Sequence, residues 1–556
     1  MPAEAHRADP LLVDLEAQQV IERIWRRDPS VWPGSSAELE DRLGWLDCPE
    51  TMPADLPRLA DHAGRLRNAG IAQVLLLGMG GSSLAPEMYA RTFGAAPGFP
   101  SLTVVDTTDP QAIADVTRSL DASRTAFLVA TKSGKTTETL SLFHHFYQAT
   151  RRGTPGRPGD RFFAITDPGS PLVAVAESHG FAKVFLADAK IGGRFSALSL
   201  FGLVPAASLG VDVRRLLRSA HRARSRCLPD VPVAKNPAAL LAAELAGHAR
   251  TGRDKLTLVL SPGLAAFGDW LEQLIAESTG KDGKGLLPVV GEPLGEPSGY
   301  GDDRLFVRVR LAGDSEAEPG LERLRACGHP VISLEVSDVH ELGEQIFVWE
   351  LAVALIGHLM AIDPFDQPNV ESSKRATRDA ISSFRATGAL PEAAQLPSGP
   401  DDVGALLVDA APGDYVAIHA YLPPEPAVRA ALEELRDWIR TGTRCAATIG
   451  FGPRFLHSTG QLHKGDAGHG RFLQLTWDAP DDLPVPGGDV DRGPSLTFGV
   501  LTAALAHGDA AALLRAGRRV ARVHLEGDPA AGVRALTAVL RQRTPIEGRS
   551  SWTSTT

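Results

Sequence analysis

From about residue 70 to residue 200 the chain repeats one pattern: a short apolar run, a turn rich in glycine and hydroxyl residues, then a helical stretch. "AQVLLLGMGGSSLAPEMYARTF", "SLTVVDTTDPQAIADV", "TAFLVATKSGKTTETLSLFHHFYQA" and "RFFAITDPGSPLVAVAESHG" follow one another in this way, and "KVFLADAKIGGRFSALSLFGLV" continues the series. A strand without a polar face must be covered on both sides. Strands alternating with helices meet that demand as a parallel sheet with right-handed crossovers. The pattern returns near residue 255 with "KLTLVLSPGLAAFGDWLEQLIAEST", "RLFVRVRL" and "PVISLEV". The expectation is an α/β protein with two such domains in tandem.

The flanks read differently. Residues 11–70 place apolar side chains three and four apart ("LVDLEAQQVIERIWRR", "LPRLADHAGRLRNAG"), which predicts helices with Gly70 as a stop. "LPEAAQLPSGPDDVG" reads as a linker, and the region beyond it mixes strands ("DYVAIHAYL", "RFLQLTW") with helices, an α+β expectation. "RQRTPIEGRSSWTSTT" reads as a frayed tail. The expected divisions are 1–70 (helical), 71–215 and 216–390 (α/β), and 391–556 (α+β).

Charge and cysteine usage narrow the class. Lys+Arg number 57 against 67 Asp+Glu, a net charge of -10, which argues against a general nucleic-acid binder. Four cysteines without C-x-x-C spacing fit free thiols in a reducing compartment. The N-terminal stretch lacks the apolar core of a signal peptide, and "IFVWELAVALIGHLMAI" carries Glu350 and His358. It is expected to be a buried helix in a cytoplasmic protein with no membrane partner.

"ATKSGKTTET" ends like an ATP-binding phosphate loop. The first glycine of such a loop would fall at Val129, however, and the third glycine of a dinucleotide fingerprint in "GMGGSSLAP" would fall at Ser83. No nucleotide cofactor is expected. Thr131, Ser133 and Thr136 either converge on an anion or simply cap a helix. Arg194 in "IGGRFSALS", Glu277 in "LIAESTGKDGKG", and Gln367 and Lys374 in "DPFDQPNVESSK" are each readable as ligand-facing or as ordinary helix and surface residues. The spacing of His457, His463 and His469 suits neither a zinc helix nor a zinc finger, so no metal is expected.

Taken together, "GMGGSSLAP", "ATKSGKTTET", "GGRFSALS", "AESTGK" and "FDQPNVESSK" stand in the order of five motifs of the glucose-6-phosphate isomerase family, across roughly residues 70–375. The chain resembles that family, and its full length resembles the isomerase half of bacterial transaldolase–isomerase fusions. The resemblance implies two tandem sugar-isomerase (SIS) domains and interconversion of glucose 6-phosphate and fructose 6-phosphate without a cofactor. A sensor that binds sugar phosphate without catalysis, or an isomerase of mannose 6-phosphate, would use the same fold. It further implies Glu277 as the base, Arg194 as the cation at the developing oxyanion, and Gly81, Ser82, Thr131, Lys132, Ser133 and Thr136 as the phosphate site. Lys374 and Gln367 take the ring-opening neighbourhood. The resemblance suggests a dimer and leaves a transaldolase partner open. One departure stands out: the family histidine that follows a G-E-P segment is missing after "VVGEP". "FLHSTGQLHKGD" in the third region resembles the missing motif with one extra residue, and it offers His463 or His457 as the substitute.

Overall fold

The computed structural model describes residues 9–34, 42–153, 156–391, 396–486, 494–544 and 546. The first eight residues, the centre of the expected linker and most of the expected tail lie outside this set.

Three parallel sheets organise the chain. The first holds β1 (Gln73–Gly78), β2 (Ser101–Val105), β3 (Thr125–Ala130), β4 (Phe162–Thr166) and β5 (Lys183–Leu186), in the order β2-β1-β3-β4-β5. The second holds β6 (Lys255–Leu260), β7 (Leu287–Val289), β8 (Arg304–Leu311) and β9 (Val331–Val336), in the order β7-β6-β8-β9. The third holds β10 (Tyr415–Tyr421), β11 (Ala446–Phe451), β12 (Gly470–Trp477) and β13 (Arg519–Leu525), in the order β11-β10-β12-β13.

The third sheet refines the α+β expectation for the C-terminal region: its strands are all parallel. Helices Pro426–Thr443 and Phe498–Arg515 lie in the connections between its strands, and a crossover of that length is what a parallel pair requires. Each sheet begins in the same order, second strand, first, third, fourth. The direction of winding therefore reverses between the first and third strands of each, and in open α/β sheets ligands settle in the crevice at that switch point.

The described residues of the N-terminal stretch are largely helical, as expected. The helix Leu56–Asn68 ends before Gly70, whose φ of +67° lets the Ile71 amide reach back to the Leu66 carbonyl. The helix Leu342–Leu359 is the apolar run that resembles a membrane span, and it is buried inside the protein. It belongs to one continuous apolar core that also takes in Leu76 and Leu128 of the first sheet and Leu256 and Leu305 of the second. The two sheets are thus joined by shared burial, at roughly 2 kcal/mol for each large apolar side chain removed from water. Glu350 sits in this core with neither carboxylate oxygen hydrogen-bonded, and burial raises its pKa well above the ordinary value. The third sheet has a separate core, built around Val416, Ile418, Leu435, Leu473 and Val533.

Candidate active site

β1 and β3 flank the switch point of the first sheet, and the glycine and hydroxyl turns leave from their carboxyl ends. The Gly78–Ser83 turn approaches the Arg194 turn so closely that a methyl group added at Gly81 would fall 1.9 Å from the Gly193 carbonyl oxygen. Only glycine permits this contact, and it sets Arg194 beside the turn. Met79, Gly81, Ser82, Thr131, Lys132, Ser133, Thr136 and Gly193 are among the residues that line an open cavity of about 620 Å³ here. The hydroxyls of Thr131 and Thr136 lie 2.9 Å apart, and the Lys135 amide donates to Ser133 Oγ at 3.2 Å. The following helix starts at Thr137. Lys132 is already engaged: its Nζ pairs with Asp167 and donates to the Ala189 carbonyl at 2.9 Å.

Glu277 lies in the last turn of the helix Ala265–Thr279 and is 4% exposed. Three side chains converge on its Oε2. Arg194 Nη1 is 3.5 Å away, Gln273 Nε2 donates at 3.1 Å and Gln367 Nε2 donates at 3.2 Å. Burial raises the Glu277 pKa, and the charges of Arg194 and His457 pull the other way. Arg194 is itself held on three sides: Nε donates to Ser278 Oγ at 2.7 Å, and Nη2 donates to the carbonyls of Pro364 and Asp366. Lys281, pushed down to about 8 chiefly by burial and then by Arg194, bonds Asp366 Oδ1 at 2.6 Å. Gln367 precedes the helix Val370–Thr387 instead of standing on it, and Lys374 is exposed on that helix.

The third region reaches this crevice through the loop after β11. A methyl group added at Gly80 would lie 3.0 Å from both Gln273 Nε2 and the His457 carbonyl oxygen, so the glycine turn, the Glu277 helix and this loop meet at one point. Gln273 Nε2 donates to the His457 carbonyl at 2.9 Å, and His457 Nε2 stands 2.9 Å from Glu138 Oε1. Burial would raise the Glu138 pKa, but the hydrogen bond and charge of His457, with a contribution from Lys374, hold it below the ordinary value. An ionised carboxylate only accepts, so His457 Nε2 carries the proton of this hydrogen bond.

His463 points elsewhere. Its Nδ1 lies 3.2 Å from His419 Nε2, and His419 Nδ1 lies 3.1 Å from Asp509 Oδ2. Lys464 Nζ donates to Asp509 Oδ1 at 2.7 Å. Asp509 is held well below the usual carboxylate range; burial opposes this, but the Lys464 charge and the His419 hydrogen bond overcome it. The proton order of the chain is therefore fixed: His419 donates to Asp509, and His463 donates to His419. Burial keeps both rings neutral. This network lies inside the third region, and none of its hydrogen bonds runs to Glu277 or to the hydroxyl turn. Next to it, Gln461 ties the segment down by donating to the Gly280 carbonyl at 2.9 Å and accepting from the Asn369 amide at 3.0 Å.

Sequence reasoning singled out Glu277, Arg194, Gln367 and the hydroxyl turn, and the fold brings these together. It passed over Glu138 and Gln273. Glu138 sits two residues after Thr136 in the quoted turn, and Gln273 lies one helical turn before Glu277. That spacing was the available signal for Gln273.

Glu272, on the same helix, accepts from Ser458 Oγ at 3.0 Å. Burial, and then the Asp269 charge, push its carboxyl up to about 7 from 4.5. The native state then binds a proton that the unfolded state has released. The stabilisation is complete below about pH 4.5 and is lost as pH rises through 7. Glu272→Gln stays neutral, so at pH 8 it should be more stable than the wild type by roughly 2–3 kcal/mol, with a much smaller difference at pH 5. Chemical denaturation at the two pH values measures this.

Residues 61–285 match the family model described as phosphoglucose isomerase. A probable glucose-6-phosphate isomerase of Haloarcula marismortui is 31% identical over 354 residues, covering 56% of this chain and 79% of that protein. A glucose-6-phosphate isomerase of Thermosynechococcus vestitus is 29% identical over 439 residues, or 67% of this chain and 80% of the relative. Among solved structures, a hypothetical protein from Thermus thermophilus matches with a TM-score of 0.58 at 26% identity, over 67% of this chain and 96% of its own. A glucose-6-phosphate isomerase from Chlamydia trachomatis shares the fold, with a TM-score of 0.57 at 21% identity over 67% of this chain and 85% of its own. At 31% identity over 79% of the Haloarcula marismortui relative, the chain belongs to the glucose-6-phosphate isomerase family.

Proposed function

We propose that this protein interconverts glucose 6-phosphate and fructose 6-phosphate through an enediol intermediate, with Glu277 carrying the proton between C2 and C1. One observation carries the reading. A buried carboxylate is fixed by Arg194, Gln273 and Gln367 against the glycine turn, whose Gly81 and Ser82 line a cavity together with the hydroxyl turn. Burial raises its basicity, and the guanidinium beside it stands ready for the negative charge that develops on the enediolate oxygen. Ser82, Thr131, Ser133 and Thr136, with the backbone at Gly81, hold the unreacted phosphate. Lys132 supports them from its pair with Asp167. Phosphate binding keeps C1 and C2 in register with the base.

The hexose ring must open before this step. His457 donates its Nε2 proton to Glu138, and in the proposed step the neutral ring takes a proton at Nδ1 while Lys374 supplies a nearby cation. His457 thus takes the role that the sequence left open between it and His463, and His463 supports the third region from within. The division into a helical start, two α/β units joined by one core and a third α/β unit belongs to the same proposal. So do a cytoplasmic setting and a homodimer.

The test is direct. The purified protein should form glucose 6-phosphate from fructose 6-phosphate. His457→Asn should lower kcat on glucose 6-phosphate by ~10²-fold, the scale of a lost general acid–base group. Saturable binding without product would replace this reading with a sensor.

A further inference from the structure

The loop after β11 carries Arg454 three residues before His457. A single guanidinium there joins three carboxylates from two parts of the chain. Arg454 pairs with Glu87 on the helix Leu84–Phe93, with Asp106 beyond the end of β2 at 3.0 Å, and with Asp269 on the Glu277 helix at 3.5 Å. Asp106 is 8% exposed, and its desolvation raises its pKa. Arg91 also reaches Asp269, at 3.6 Å, but from the exposed side.

Beyond Arg454 the loop stays on the same helix. Ser458 bonds Glu272, the His457 carbonyl accepts from Gln273, and Gln273 in turn bonds Glu277. Asp269, Glu272, Gln273 and Glu277 follow a spacing of three and four, so they form one stripe on the helix. Arg454 anchors the end of this stripe farthest from the base. Without it, Glu87, Asp106 and Asp269 would face one another with mutual repulsion, and the loop would lose its ionic link to the first sheet.

Resting on the function proposed above, we infer that Arg454 is a positioning residue: its pairs with Glu87, Asp106 and Asp269 seat the third region so that His457 reaches Glu138 and the crevice of its own chain. It acts through His457 and touches no reacting atom.

A double-mutant cycle on the full chain tests this, read as kcat on glucose 6-phosphate. Arg454→Met should lower kcat by roughly 10- to 100-fold, no further than His457→Asn does. The double variant should fall within about 3-fold of His457→Asn alone, because a displaced histidine and an absent one cost the same step. Inhibition by arabinonate 5-phosphate, an open-chain acid with a carboxylate at the reacting end, should change by less than about 3-fold in Arg454→Met, since the cradle, Glu277 and Arg194 are untouched. Arg454→Lys keeps one charge but not the three-way fork, so it should recover part of the loss. Multiplicative losses in the double variant, a parallel loss of inhibitor binding, or an unchanged kcat would each overturn the proposal. If Arg454→Met does not fold, Asp269→Asn is read in the same cycle and by the same criteria. A wild type that binds fructose 6-phosphate without converting it refutes the underlying function instead, and this inference with it.

Discussion

Glu277→Gln should lower kcat for fructose 6-phosphate by at least ~10³-fold while leaving inhibition by arabinonate 5-phosphate within about 10-fold of the wild type. The amide is nearly isosteric with the carboxylate and can still meet Gln273 and Gln367, whose amides bond Glu277 Oε2. What it would lose, in the proposed reaction, is the anionic oxygen that accepts the C1 proton of fructose 6-phosphate. The neighbouring Arg194 charge is not stranded by the change, because Asp363 and Asp366 also act on it. The variant is therefore expected to fold, and circular dichroism with thermal unfolding checks that. More than a tenth of wild-type kcat in this variant would remove Glu277 from the chemistry. Loss of inhibitor binding in parallel would make it a binding residue.

The second large effect is expected at Arg194. Replacement by Lys keeps a positive charge but cannot reproduce four directed contacts, to Ser278 Oγ, to the Pro364 and Asp366 carbonyls and to Glu277. A loss of ~10²-fold in kcat is expected, the scale of a misplaced oxyanion donor. Arg194→Met should lose more, up to ~10³-fold, and should also change the pH profile. Arg194 is the largest influence opposing the burial that raises the Glu277 pKa. Removing it raises that pKa further, so a larger fraction of the base is protonated at any given pH. The acid limb of kcat/KM should then move to higher pH in Arg194→Met and move much less in Arg194→Lys. An acid limb that stays in place in both variants would show that the titrating group is not Glu277.

Some parts of this arrangement were legible in local sequence, and for a common reason. β1, β3 and β4 read as apolar runs because a parallel strand is covered on both faces. The turns after β1 and β3 announced themselves through glycine and hydroxyl residues, whose conformational and hydrogen-bonding demands lie within a few residues of chain. The ordered motifs also pointed to Arg194, Glu277 and Gln367, and these side chains do meet. The third region was harder. Its strands were visible in part, but β11 ("AATIGF") is short and small-residued, and without it the parallel order could not be read. Its contribution to the site was expected from a resemblance between two short segments, which did not decide between His457 and His463.

The sequence alone determined the class of sheet and the positions of the glycine and hydroxyl turns, because each depends on residues close together in the chain. Tertiary structure decided what those features face. Arg454 finds Glu87, Asp106 and Asp269 across 367, 348 and 185 residues of chain, and His457 finds Glu138 across 319. His463 turns instead to His419 and Asp509 inside the third region. Two histidines six residues apart carry the same chemistry in sequence. Only packing separates them, because the loop that bears His457 is pinned to the Glu277 helix, while the following turn is drawn into a buried pair of charges at Lys464 and Asp509.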